Sequence, residues 1–233
     1  TILSGRGVTR VMTRSGAIEK KRLRELYRYR ILDTPPEPEF DGLCDLARSL
    51  LGADAAVITF QDADRSWCKA SAGRHVATLP RSASVSEQAV IAGEAVVFED
   101  LSVEPLFRDH PLVQGETGMR AAVGVPIEVK KGLCIGAVVA MFDKPRKVSI
   151  ADIENLLRLT RAIVDRLHLR RIRLERELDQ IARAKKDAEI AAQKWEIGKQ
   201  RRLLEQTARL ARIGGWEYDV AAGRMIWSAE IYR

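Results

Sequence analysis

The chain has 233 residues, 46% of them hydrophobic and 30% charged, with a net charge of +7; this is enough apolar material for one or two cored domains, with a charge content above the roughly 25% of ordinary globular chains that points to a long solvated helix as well. From Arg158 to Arg202 there are fourteen Lys or Arg against seven Asp or Glu, a surplus of seven that accounts for the whole net charge, so the remainder is balanced and a folded basic face for nucleic acid is not indicated. No run of about 18 apolar residues is present to span a membrane, and Cys44, Cys68 and Cys134, odd in number and without a CxxC pair, fit reduced thiols in a cytoplasmic protein better than a disulfide framework.

Residues 1–17 read as a flexible leader: Arg6, Arg10 and Arg14 occur without the apolar stretch of a signal peptide. Helical periodicity begins at Ile18, continues through Leu23, Leu26 and Tyr27, and stops at Asp33-Thr34-Pro35-Pro36. A second helix carries Phe40, Leu43, Cys44, Leu46, Ala47, Leu50 and Leu51 at i, i+3, i+4, i+7 spacing and closes at Gly52. Ala55 to Phe60 and Trp67 to Ser71 then read as two antiparallel strands joined by the acidic turn Gln61-Asp62-Ala63-Asp64-Arg65. Ser84 to Ala92 is a short helix, with Ser84 or Ser86 as its cap and Gly93 behind it, and Val96-Val97-Phe98 is a strand. A loop from Leu101 to Gly118 carries a helical turn near Leu106. Met119 to Val129 and Leu133 to Phe142 form a hairpin about Lys130-Lys131-Gly132, and the apolar run Ala137 to Ala140 marks its second strand as central, covered on both faces. The fold class is α+β: an antiparallel sheet flanked by helices.

Ser149 caps the next helix, with Asp152 in the capping-box position. One apolar seam then runs for about six heptads. One column is Ile153, Thr160, Leu167, Leu174, Ile181, Ala188 and Trp195; the other is Leu157, Val164, Arg171, Leu178, Lys185 and Ala192. No proline interrupts Ser149 to Gly214, so the helix is roughly 90–100 Å long at 1.5 Å per residue. A parallel homodimer is the simplest way to cover the seam; an antiparallel pair or a fold-back onto the domain are the alternatives. The register slips after Trp195, where Leu203 follows eight residues on with Gly198 in the gap. Gly198 reads either as a plain break before the next module or as a hinge.

Several segments carry a resemblance. Arg30-Ile31-Leu32-Asp33-Thr34-Pro35-Pro36-Glu37 with Phe40-Asp41, then Asp62 to Lys69, then Val97-Phe98-Glu99-Asp100-Leu101, then Arg120 to Ile127 and Ile135 to Val139, resemble in order the GAF domains of bacterial sensors over about residues 20–170. Ala208 to Val220 and Ala222 to Arg233 resemble the opening of a PAS domain that is cut short, with a hairpin turn at Ala222-Gly223. The expected organisation is a leader over 1–17, a GAF-like sensory domain over 18–150, a coiled-coil signalling helix over 151–207 and a partial PAS start over 208–233.

The resemblance implies a pocket between the sheet and the loops above it, with Phe60, Trp67, Lys69, Ser86, Gln88, Asp100, Arg120 and Phe142 as its neighbours by position. Ordinary packing is the favoured reading for Phe60, Trp67 and Phe142, and Arg120 reads equally as a partner for an anionic ligand group or as a bridge to Asp100. Where many relatives read Ser-Phe-Cys-Ala-His-Ala-Ile, this chain reads Ser84-Val85-Ser86-Glu87-Gln88-Ala89-Val90. The family's cysteine falls at Ser86 and its histidine at Gln88, so no metal, haem or bilin is expected and the ligand is left unknown. The Asn-Lys-Phe-Asp-Glu signature of cyclic-nucleotide-binding relatives is not recognisable, and neither a Walker nor a Gly-x-Gly-x-x-Gly phosphate loop is present. His75 and His110 fall in loops, and His168 reads as a solvated helix residue. A reductase reading would need clustered cysteines. The resemblance therefore implies a non-enzymatic input module of a cytoplasmic signalling protein ending in a histidine kinase or a diguanylate cyclase. Nucleic-acid or acidic-membrane binding through the basic helix is the alternative, weakened by the intermixed acids and the lone Trp195.

Overall fold

The computed structural model describes residues 3–4, 16–74, 79–81, 84–115, 118–211 and 215–227. Most of the expected leader, His75 and the end of the PAS-like segment lie outside them. The chain divides into two units, Thr1–Arg173 and Leu174–Arg233.

The first unit opens with the short strand β1 (Leu3–Ser4), followed by α1 (Gly16–Arg28) and α2 (Pro38–Leu51). Strands β2 (Ala55–Gln61), β3 (Arg65–Gly73) and β4 (Leu79–Pro80) precede α3 (Val85–Ala92) and β5 (Val96–Phe98). The one-turn helix α4 (Pro111–Gln114), the hairpin of β6 (Ala121–Lys130) and β7 (Leu133–Phe142), and the start of α5 (Ile150–Ala211) complete it. The sheet order is β1-β5-β6-β7-β2-β3-β4, antiparallel throughout except for β1 beside β5. Every residue of β7 is buried, as the unbroken apolar run requires of a strand covered on both faces.

Local chemistry sets the element ends. Ser84 accepts from the Glu87 amide to cap α3, and Gly93 ends it in the left-handed region with φ 70°. Ser149 and Asp152 cap each other's amides at 3.0 and 3.1 Å, which starts α5 with a reciprocal box. The turn expected near Leu106 is present, closed by the Arg108 amide on the Glu104 carbonyl at 2.8 Å, and the short helix α4 follows it. Its cap is His110, whose Nδ1 accepts from the Leu112 amide, while burial pushes the imidazole below its ordinary range.

Alternation along the strands sends side chains into two cores. On one face Ile58, Phe60, Val125, Ile135 and Phe142 pack against α1, α2 and the first turns of α5. On the other, Val57, Val96, Phe98, Val139 and Met141 meet α3 together with Leu101, Phe107, Val113 and Met119. Where β2 crosses β7, Gly136 faces Phe60, and a Cβ there would stand 2.1 Å from the Thr59 carbonyl oxygen. Only glycine permits that approach.

In the second unit α5 continues through Gly198 without a break as far as Ala211. Strands β8 (Trp216–Asp219) and β9 (Arg224–Trp227) pair antiparallel about Gly223, which is the hairpin the sequence indicates. Among the described residues no helix is long and apolar enough to cross a membrane.

Candidate functional site

The second core face contains a small cavity of about 20 Å³, room for little more than one water molecule. Strands β2, β3 and β7 form its floor through Val57, Thr59, Ser66, Cys68, Val139 and Met141, and Ser84, Val85 and Ser86 from the start of α3 cover it with Leu79 and Leu112. Its polar lining is hydroxylic. Thr59 Oγ1 donates to Ser86 Oγ at 2.7 Å, and Gln61 Nε2 donates to Ser66 Oγ at 2.9 Å and to Thr59 Oγ1 at 3.3 Å. Gln61 is fully buried, and its Oε1 has no partner among the described residues. Burial pushes the Cys68 thiol up to about 11 and the Cys44 thiol up to about 12, so neither is a ready thiolate.

Of the eight pocket neighbours expected from sequence, Ser86 lines this cavity. Phe60, Trp67 and Phe142 point into the opposite core, because they stand one residue out of phase with the cavity-facing positions on their strands. Lys69 is on that side too. Its side chain is wholly buried, donating to Thr34 Oγ1 at 2.9 Å, the Pro35 carbonyl at 2.7 Å and Glu37 at 2.7 Å, with the rings of Phe40 and Trp67 beneath it. Gln88 is half-buried away from the cavity. Asp100 Oδ1 accepts from the backbone and hydroxyl of Ser102, and Arg120 donates to the Val113 carbonyl.

The long helix also divides differently from expectation. Ile153, Thr160 and Leu167 of the first seam column are buried in the domain's own core, with Leu156, Leu159 and Ile163, so these three are spent on the sheet. Leu157 and Val164 of the second column border an open groove of about 670 Å³ whose far side is Pro126, Glu128 and Glu94. In the second unit Leu174 is half-buried, while Leu178, Ile181, Ala188 and Trp195 are exposed. His168 is not solvated; it is half-buried with its ring 5.9 Å from that of Tyr29.

A network of charged groups surrounds the cavity's roof. Arg81 Nη1 donates to Glu19 Oε1 at 2.6 Å and to the Asp62 carbonyl at 3.1 Å, and its Nε lies 2.9 Å from Glu87 Oε1. The fully buried Arg22 donates to Glu19 and, at 2.6 Å, to the Gln61 carbonyl. Burial pushes the Glu19 carboxyl up, but hydrogen bonds and charge from Arg22 and Arg81 together outweigh it and hold the group at about 2. At Glu87 burial wins over Arg81, and its carboxyl is raised.

A family model described as GAF domain matches residues 35–167, more than half of the sequence. The chain belongs to the GAF domain family. It is 28% identical over 139 residues to a cyclic di-GMP phosphodiesterase of Pseudomonas aeruginosa, a match covering 59% of this chain and 24% of that protein; the chain thus spans about a quarter of the relative's length. The GAF domain of a phosphoenolpyruvate-protein phosphotransferase from Coxiella burnetii superposes with a TM-score of 0.52 at 17% identity, over 68% of this chain and 98% of that domain. The GAF domain of a phosphoenolpyruvate-protein phosphotransferase from Acinetobacter reaches 0.48 at 20% identity, over 67% and 97%. At such identities the likeness concerns the fold. The cavity lies within the GAF domain, between its sheet and α3.

Proposed function

We propose that this chain is a regulatory input module of a cytoplasmic signal-transduction protein, in which the GAF domain senses a small molecule and α5, paired in a parallel homodimer, relays the signal. The destination is the PAS-like start over 208–233 and an output domain not contained in these residues, a histidine kinase or a diguanylate cyclase. The likeness to a cyclic di-GMP phosphodiesterase supports a setting in which GAF domains accompany cyclic di-GMP chemistry.

The observation that carries this reading is the exposure of α5. Leu178 is 46% exposed, Ile181 67%, Trp195 62% and Leu203 63%, all on one helix. A helix with such a stripe gains stability by pairing, because burial of each large side chain is worth about 1.5–3 kcal/mol. Sedimentation velocity tests it: the expected species is a dimer, converted to monomer by the double substitution Leu178→Glu and Ile181→Glu. A wild-type chain that stays monomeric at high concentration ends the proposal. Native mass spectrometry of the purified chain is the companion measurement for a retained small molecule.

A further inference from the structure

The first turn of α3 does two things at once. Ser84, Val85 and Ser86 cover the cavity, and the next residue, Glu87, pairs with Arg81. Ser84 ties the same turn to Arg81 through its backbone, its hydroxyl donating to the Arg81 carbonyl at 3.2 Å while accepting from the Glu87 amide at 3.1 Å. Arg81 therefore cannot stay in place if the start of α3 moves. Its other end holds Glu19 on α1 at 2.6 Å, and Glu19 is itself locked to the buried Arg22.

Nearly two turns further along α1 Glu25, and just past the helix end Tyr29, meet α5. Glu25 Oε1 lies 3.8 Å from Arg171 Nη1, and the Arg171 guanidinium stands 5.7 Å from the centre of the Tyr29 ring. His168 packs on the same ring. One rigid helix thus carries the cavity's ion pairs at its start and those of α5 at its end. This is a contiguous path of paired charges and regular structure of the kind through which coupling travels.

We propose that Arg81 and α1 form the relay by which filling of the cavity is passed to α5 at Leu167–Arg173. The inference rests on the reading of the cavity as the sensory site. It makes Arg81 a positioning residue: it touches no ligand, and it converts a displacement of α3 into a displacement of α1.

Hydrogen–deuterium exchange on the 233-residue chain tests this with Cys68→Met, which puts a longer side chain into the cavity. With Arg81 present, amide exchange is expected to rise about two- to fivefold in residues 19–28 and 165–173, the scale of losing partly exposed ion pairs. With Arg81→Gln the same filling still alters α3 and leaves 165–173 unchanged; Arg81→Lys restores part of the response. An equal response of 165–173 in both backgrounds overturns the relay, since the signal then crosses through the sheet, and so does silence of α1 with Arg81 present. If Arg81→Gln does not fold, Glu19→Gln cuts the same link from the α1 side and is read identically; Val57→Ile is the milder filling should Cys68→Met not fold. Sedimentation reports dimerisation separately, so failure of the relay is distinguishable from failure of the coiled-coil reading.

Discussion

Single residues show where physics overrides position. Lys69 is a lysine wholly buried on the helix-covered face, and its three hydrogen bonds fix the loop between α1 and α2. In that loop Arg30 and Asp33 hold positive φ values of 47° and 55°, which non-glycine residues adopt only when held there. Lys69→Ala is expected to cost about 1.5–3 kcal/mol, by removing the hydrogen bonds of a buried charged donor and the packing of its stem on Phe40 and Trp67; urea unfolding at pH 7 measures it. Glu19 gives a pH signature. Its folded-state value of about 2 lies below the ordinary 4.5, so its contribution is complete above about pH 4.5 and is lost as pH falls through about 2. Glu19→Gln is therefore expected to lower the urea midpoint at pH 6 and to flatten its decline between pH 5 and pH 3. Glu87, raised by burial, acts in the opposite direction, since the folded state binds its proton more readily. That Phe60, Trp67 and Lys69 face away from the cavity was not legible in the sequence. The segment Ala55 to Gln61 is buried on both sides, so alternation says which residues share a face but not which helix covers it.

At the scale of elements, the pattern was largely readable, because turns, caps and apolar runs are local. The hairpin of β6 and β7, the Ser84 cap and the Ser149–Asp152 box all stand where the residue types place them. Ser149→Ala is expected to cost about 1 kcal/mol through the lost cap, read as a shift in thermal midpoint. What periodicity could not separate is a seam for the protein's own sheet from a seam for a partner. Ile153 and Leu167 are apolar at heptad spacing in either case, and the structure uses them internally. Gly198 is continuous with the helix on either side, so Gly198→Ala is expected to raise helicity and stability of the second unit by about 1 kcal/mol, measured by circular dichroism. Pairs as short as β1 and β4, two residues each, carry no sequence period at all and come from the neighbours they meet.

On the scale of the whole chain, family membership was legible because the matching segments occur in the right order along the sequence and their spacing preserves the sheet. The consequence of that sheet order is kinetic. β2 with β3 and β6 with β7 are hairpins whose partners are close along the chain, whereas Val57 pairs with Val139 across most of the domain. Closing this distant pairing carries the larger loop entropy, so the hairpins form early and the seam between β2 and β7 forms last, as one slow joining event. Gly136, which lets the two strands approach there, stands on that seam. Gly136→Ala is expected to destabilise the domain by more than about 3 kcal/mol through backbone overlap, and, because the seam closes in the slow step, to do so by slowing refolding more than by accelerating unfolding, which stopped-flow chevrons of the two proteins would separate.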